Sequence, residues 1–348
     1  MELFFKAVGW NESRRRKERM IRSAVSYKEK MQEVSVVIPN YNGLGYLDGV
    51  LGSLEKQTIK NFEVILVDNG STDGSVSFVM ENYPWVHLIE FSENLGFCRA
   101  VNAGIEASRA GYVLLLNNDT EVEETFLFEM VEGIRRHKNA FSCAAKMIQF
   151  CNREKLDDAG NLYCALGWSF ARGKDKPVSC YEKEEKVFAS CGGAAIYRKK
   201  IFEEIGYFDE EHFAYLEDVD IGYRARIYGY ENWYLPKARV YHVGSGTTGS
   251  RYNQFKTRYS SRNNVYLIYK NMPYLQMIIN LPFLLLGFGT KIVFFFLKGM
   301  GKEYIAGIKN GFQLSAKGKK VPFYLSHFGN YCKIQLELWI NMVRRCFS

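Results

Sequence analysis

The sequence predicts an α/β fold: a mainly parallel central sheet with helices on both faces, followed by C-terminal membrane-associating helices. Three observations predict it. Short apolar runs rich in β-branched residues recur through the first third of the chain, segments of helical spacing separate them, and a turn rich in Asn, Asp and Gly follows each run directly. At 348 residues, 47% hydrophobic and 24% charged, the chain has room for one large domain with appendages. The same composition excludes a disordered chain, a collagen-like repeat and a small disulfide scaffold.

In chain order the runs are Val34–Ile38, Phe62–Val67, Val86–Ile89 and Tyr112–Leu116, and the spacing predicts helices over 46–57, 73–82, 96–108 and 123–137. Strands joined by crossover helices lie parallel and are covered on both faces, which is why the runs are almost continuously apolar. The loops after them are Pro39–Gly43, Asp68–Gly74, Phe91–Gly96 and Asn117–Asp119. In such sheets the carboxyl ends of the strands form the ligand crevice, so the four loops are expected to converge. Taken singly, each is also ordinary turn chemistry, with Thr72 or Asp73 placed to cap the next helix.

The nature of the ligand is narrowed by what is missing. No Gly-rich loop ending in Gly-Lys-Ser/Thr is present, and no Gly-x-Gly-x-x-Gly follows the first run. That pattern occurs once, at Gly244–Gly249, but it closes the body of the chain, and residues 262–274 supply no acidic partner for a ribose. It reads as a small-residue loop beside His242 and not as a dinucleotide site.

The net charge of +8 hides a split. Residues 1–30 hold 9 Lys+Arg and 4 Asp+Glu, residues 31–245 hold 22 and 32, and residues 246–348 hold 15 and 2. The three segments are therefore read as a basic N-terminal appendage (1–30), an acidic body (31–250) and a basic, aromatic-rich membrane-associating helical region (251–348). An acidic body repels polyanions and excludes a nucleic-acid groove there, while the basic C-terminal third suits an anionic membrane surface. The 8 cysteines form no Cys-x-x-Cys pair and no apolar leader opens the chain, so a reduced, cytoplasmic setting without structural zinc is expected.

Residues 277–297 are apolar and aromatic but interrupted by Asn280, Pro282, Gly287, Gly289 and Lys291, and basic residues flank both sides. A clean single span needs about 20 apolar residues and opposite charge flanks. The expectation is an interfacial or re-entrant helix pair turning near Gly287–Gly289, with a true span and a soluble packing helix as the alternatives. Residues 323–347 are expected to add another interfacial helix.

Five ordered segments carry a family resemblance: Val36–Gly43, Glu63–Gly74, Asn94–Gly104, Leu115–Asp119 and Gly206–Tyr230. They resemble family 2 glycosyltransferases, most closely the bacterial rhamnosyltransferase-like branch, over roughly residues 34–249. The resemblance implies a GT-A fold, Rossmann-like in its sheet, and inverting transfer of a sugar from a nucleotide diphosphate. It favours a donor of dTDP-rhamnose, with a UDP-hexose as runner-up, and a lipid-linked (polyprenyl) or cell-surface glycan acceptor at the cytoplasmic face of the membrane. A nucleotide-sugar-binding membrane scaffold without catalysis is the alternative from another class.

By the resemblance, Asp218 is the catalytic base, placed to accept the acceptor hydroxyl proton. Asp119 matches the last residue of the family's Asp-x-Asp motif and, with His242, is expected to hold Mg2+ or Mn2+. Asn117 stands where that motif has its first Asp, so the site carries one carboxylate fewer. The donor side is expected to comprise Pro39, Asn40, Tyr41, Asn42, Asp68, Asn69, Asn94, Gly96, Arg99, Asn117, Asn118, Gly193 and Ala194, with Asp68 accepting the imide N–H of the base. Glu217 and Trp168 are expected on the acceptor side. An acidic helix N-terminus at 217–220 also has a purely structural reading, since carboxylates favour the helix dipole and Arg224 lies one turn on.

Overall fold

The computed structural model describes residues 32–244 and 252–346, so the basic segment 1–30 and most of the Gly244–Gly249 loop lie outside the described residues. The first half alternates strand and helix: β1 (Val34–Asn40), α1 (Leu44–Glu55), β2 (Phe62–Asp68), α2 (Ser75–Asn82), β3 (His87–Glu90), α3 (Phe97–Ala107) and β4 (Tyr112–Leu116). Then follow β5 (Thr120–Val122), α4 (Phe126–Arg136) and β6 (Ala140–Gln149), the three short strands β7 (Leu156–Asp158), β8 (Asn161–Cys164) and β9 (Trp168–Ala171), and β10 (Glu185–Val187) and β11 (Ala194–Arg198). The body ends with α5 (Phe202–Ile205), α6 (Glu217–Ile227) and β12 (Glu231–His242).

The main sheet runs β10-β12-β6-β11-β4-β1-β2-β3, with β5 on β12 and β7 on β6. Its first half, β3-β2-β1-β4, is parallel. Beyond β4 the direction mixes: β11 runs antiparallel to both β4 and β6, while β6 and β12 are parallel. Successive residues of β1 face opposite cores. Val36 and Ile38 pack with Leu47, Leu51 and Phe126, whereas Val37 packs with Val101 and Ile105. A strand buried on both faces has no polar stripe, which is why it reads as a continuous apolar run.

Among the described residues after β12 come four α-helices: α7 (Gln254–Asn271), α8 (Tyr274–Leu297), α9 (Gly301–Lys317) and α10 (Phe328–Cys346). They are fused to the body through a third core, in which Leu267 and Ile268 of α7 and Ile334 and Leu338 of α10 meet Tyr163 of the β8–β9 hairpin and Val219 of α6.

The structure corrects the turn expected at Gly287–Gly289. α8 continues unbroken through both glycines and through Pro282, and the chain reverses at Gly299, whose φ is +73°. The reason lies in packing: a Cβ on Gly287 would stand 2.0 Å from the Leu166 carbonyl oxygen at the hairpin tip. Glycine is there for close approach to backbone, with the Trp168 indole N–H donating to the Gly287 carbonyl at 3.1 Å. The opposite side of α8 presents Ile278, Leu285, Leu286, Phe296 and Leu297 to the outside, and α10 presents Leu336, Ile340 and Val343. Among the described residues α8 is the helix long and apolar enough to cross a membrane.

Gly287→Val is therefore expected to push α8 off the hairpin at a cost of about 1–3 kcal/mol. Gly289→Ala, in the same helix with nothing within 4 Å of the added Cβ, should be neutral or stabilising by up to about 1 kcal/mol. Denaturant melts of the two variants check this, and equal effects would contradict the packing role of Gly287.

Candidate active site

The strand ends are stitched together by asparagine amides, which donate and accept at once. Asn40, ending β1, donates to Asp68 Oδ1 at 2.9 Å and accepts from Asn118 Nδ2 at 2.7 Å. Asn69, just past β2, donates to Asn94 Oδ1 at 3.0 Å and accepts from the Leu95 amide at 2.9 Å. The antiparallel return of β11 brings Gly193 to the end of β4, where its carbonyl accepts the Asn117 amide at 2.9 Å. Gly43 has to be glycine, because a Cβ there would lie 2.0 Å from Asn118 Nδ2.

These loops form the floor of one cavity of about 1820 Å³. Of the residues singled out by sequence, Pro39, Asn40, Tyr41, Asn69, Asn94, Asn117, Asn118, Asp119, Trp168, Gly193, Glu217, Asp218 and His242 line it. Five do not. Asp68 lies beneath, 2% exposed, with Oδ1 on Asn40 and Oδ2 on the Ser71 amide. Asn42 sits beside it, accepting from the Thr72 amide, and Ala194 is buried in β11. Gly96 supports the loop through its carbonyl, which accepts from Asn69. Arg99 turns outward, half exposed, and pairs with Glu210 at 3.0 Å.

Where β5 pairs with the end of β12, His242 lies opposite Thr120 and so beside Asp119. Its Nε2 stands 3.3 Å from Asp119 Oδ1, and its Nδ1 is 2.8 Å from Asp157 Oδ2. Burial alone would lower the imidazole pKa, but the hydrogen bonds and charges of the two carboxylates raise it to about 9. Asp157, despite burial, is held at about 2 by His242 and Lys174. Its neighbour Asp158 has no such partner and is lifted by burial to about 7.

The other wall carries Asp218 near the start of α6. Asn161 Nδ2 donates to Asp218 Oδ2 at 2.7 Å, and the Val219 amide donates to Oδ1 at 2.7 Å. Burial pushes the carboxyls of Glu217 and Asp218 up, and the charge of Asp218 adds to the rise of Glu217. Glu217 Oε2 is buried without a hydrogen-bond partner among the described residues. The turn before α6 is strained, with positive φ at Phe213, Tyr215 and Leu216. α7 holds it: Asn263 Nδ2 lies at 2.7–2.8 Å from the carbonyls of His212, Ala214 and Tyr215.

Asp157, Asn161 and Asn263 were missed from sequence. The first two lie in residues 146–187, which match no motif, and none of the three follows a pattern that spacing could expose. Their partners are 85, 57 and about 50 residues away along the chain.

The matching family model, Glycosyl transferase family 2, spans residues 35–206. Over that stretch, just under half of the chain, it resembles family 2 glycosyltransferases. The N-acetylglucosaminyl-diphospho-decaprenol L-rhamnosyltransferase of Mycobacterium tuberculosis is 28% identical over 240 residues, covering 62% of this chain and 77% of its own. Among solved structures, GalNAc-T7 with UDP, GalNAc and Mn2+ superposes with a TM-score of 0.56 at 18% identity, over 69% of this chain and 48% of that one. The mannosyltransferase PcManGT from Pyrobaculum calidifontis, in complex with GDP-Man and Mn2+, gives 0.51 at 14% identity over 80% and 87%. The fold is GT-A, and the protein is a glycosyltransferase enzyme.

A divalent cation fits the Asp119–His242 pair in one specific respect. Asp157 fixes Nδ1, so Nε2 and a carboxylate oxygen face each other across a gap that a shared proton now bridges, the arrangement in which a second carboxylate orients a ligating imidazole. Among the described residues no group of three or more His, Cys, Asp or Glu is arranged for a metal, so a cation held by this pair would take its remaining ligands from substrate or water.

Because the folded pKa of His242 lies above its ordinary 6.5, in chelator its pairing stabilises the fold fully below that pH and the benefit is lost as pH rises through about 9. His242→Asn should cost about 1–3 kcal/mol at or below pH 6.5 and much less at alkaline pH. Thermal melts across pH check the sign, and a penalty that grows with pH would contradict the pairing.

Proposed function

We propose that this enzyme transfers a sugar, rhamnose on a thymidine diphosphate being favoured, to a lipid-linked glycan acceptor at the cytoplasmic face of the membrane, with inversion at the anomeric carbon. The single observation that carries the reading is the shared cavity. The Asp119–His242 pair, Asp218 held by Asn161, and the Asn-rich strand ends all line it.

Asp218 takes the proton from the acceptor hydroxyl as that oxygen attacks. Its raised pKa makes it a better base than an exposed carboxylate, and Asn161 keeps one oxygen aimed while the proton arrives. Glu217, also raised, holds its proton near neutral pH and so adds no second negative charge beside Asp218. Asp119 and His242 would hold Mg2+ or Mn2+, which supplies positive charge to the departing diphosphate. Asn40, Asn69 and Asn94 present amides and backbone to the nucleotide, and Asp68 braces Asn40 from below, one layer under the place expected from sequence. Gly192 and Gly193 leave room for the sugar to approach backbone.

The rhamnosyl donor and lipid-linked acceptor rest on the name of the Mycobacterium tuberculosis relative together with the exposed apolar sides of α8 and α10. A surface that is apolar and flanked by Lys and Arg settles into the headgroup boundary of an anionic bilayer.

Asp218→Asn is expected to lower turnover by roughly 10² to 10⁴ with nucleotide diphosphate affinity nearly unchanged. Sugar transfer and isothermal titration measured side by side test it, and turnover within about threefold of the unmodified enzyme would remove Asp218 as the base. The full-length protein should bind phosphatidylglycerol vesicles more tightly than phosphatidylcholine vesicles, by about 1 kcal/mol for each Lys or Arg near the surface. High salt should weaken that binding without abolishing it, because the apolar contribution does not depend on salt. Complete release by salt would contradict an inserted apolar face.

A further inference from the structure

The cavity continues past Asp218 onto a wall built by β9, α8 and α10, which the donor chemistry does not use. Two cations line that wall, Lys291 of α8 and Arg345 of α10. Among the described residues neither has a carboxylate partner, whereas Lys174, elsewhere on the lining, is paired with Asp157. Each cation instead lies over an aromatic ring: Lys291 Nζ is 5.7 Å from the Trp168 ring centre, and the Arg345 guanidinium is 5.4 Å from that of Phe170. Trp168 and Phe170 are two apart on β9 and so share one side of the strand. The two positive charges are near enough for Arg345 to repel Lys291. Two adjacent cations at a cavity wall, with no anion between them, are matched by a ligand that brings more than one negative charge.

The hairpin register sets their distance from the chemistry. Asn161, which holds Asp218, pairs with Ala171, and Cys164 pairs with Trp168. Three residues of strand separate the two levels, roughly 10 Å. That leaves space for about one sugar ring between the attacking hydroxyl and a phosphate on the ring's anomeric carbon. One turn on from Lys291 in α8, Phe294 and Phe295 also line the cavity, and Phe294 belongs to the exposed apolar surface of that helix.

We propose that Lys291 and Arg345 clamp the diphosphate of a prenyl-diphosphate-linked acceptor sugar, with the prenyl chain leaving along Phe294 and Phe295. The inference rests on the lipid-linked acceptor reading and adds the residues that recognise it. An ammonium and a guanidinium donate charge-assisted hydrogen bonds to phosphate oxygens, the stronger class of such bonds, and the clamp sets which hydroxyl of the first sugar reaches Asp218.

The test uses farnesyl diphosphate, farnesol and inorganic pyrophosphate as probes of the full-length protein in phosphatidylcholine vesicles, by titration calorimetry. The unmodified protein should bind farnesyl diphosphate at least about tenfold more tightly than either farnesol or pyrophosphate, since both charge and tail are read. Lys291→Gln and Arg345→Gln should each weaken farnesyl diphosphate at least about tenfold while thymidine diphosphate binding stays unchanged, which also shows that the variants are folded. If the unmodified protein does not distinguish farnesyl diphosphate from farnesol, the lipid-diphosphate acceptor and the clamp both fall. If it does and the variants bind like the unmodified protein, the acceptor reading stands and the clamp is overturned. Variants that lose phosphatidylglycerol vesicle binding but keep farnesyl diphosphate would assign the cations to lipid headgroups and likewise overturn it.

Discussion

Asp220 is the anion on which the rest of the site depends. Its side chain is fully buried, and it accepts from Arg224 Nη2 at 2.8 Å, Lys270 Nζ at 2.9 Å and Asn271 Nδ2 at 2.7 Å. A buried carboxylate is tolerable only when its hydrogen-bonding capacity is filled by such partners. These partners come from two helices, so the charge that must be compensated locks α6 to α7 and thereby joins the C-terminal helices to the sheet. The strained turn at 213–216 and the carboxylates of Glu217 and Asp218 are carried at the front of that joint. Removing one partner would leave a charge buried without compensation, which is more costly than the pair is stabilising.

Four carboxylates within a short reach along the chain and cavity are thereby given different natures. Asp220, facing two cations, is held far below the usual carboxylate range. Asp157 is held low by His242 and Lys174, whereas Glu217 and Asp218, three and two residues from Asp220, are raised by burial. The same functional group is kept as an anion or given a raised proton affinity according to what surrounds it. The cavity also joins two kinds of wall. The parallel half of the sheet supplies polar loops suited to a nucleotide, and α8 supplies an apolar wall suited to a lipid.

What the sequence made legible was whatever recurs with a period. The β1-α1-β2-α2-β3-α3-β4 alternation was readable because apolar runs and helical spacing alternate, and the four crevice loops were readable because each follows a run. What it hid depends on distant chain returns. Asp157 and Asn161 reach the site only because β7 pairs with β6 and the β8–β9 hairpin folds against α6, and Asn263 and Lys270 only because α7 docks there. Arg99 was placed on the donor side by its motif, yet from the first turn of α3 its side chain reaches Glu210 outside the cavity. The glycines of α8 were read as a turn because sequence cannot distinguish a glycine needed for conformation from one needed for contact; Gly287 is of the second kind.

The most direct test of this account is an experimental structure of the protein with thymidine diphosphate and Mn2+. The account predicts the metal between Asp119 and the Nε2 atom of His242, Asp157 still on Nδ1, the nucleotide across the Asn40 and Asn69 loops, and Asp218 left open to the acceptor side with Asn161 attached. A diphosphate bound against Asp218, or a metal that leaves His242 on Asp119 unchanged, would contradict it.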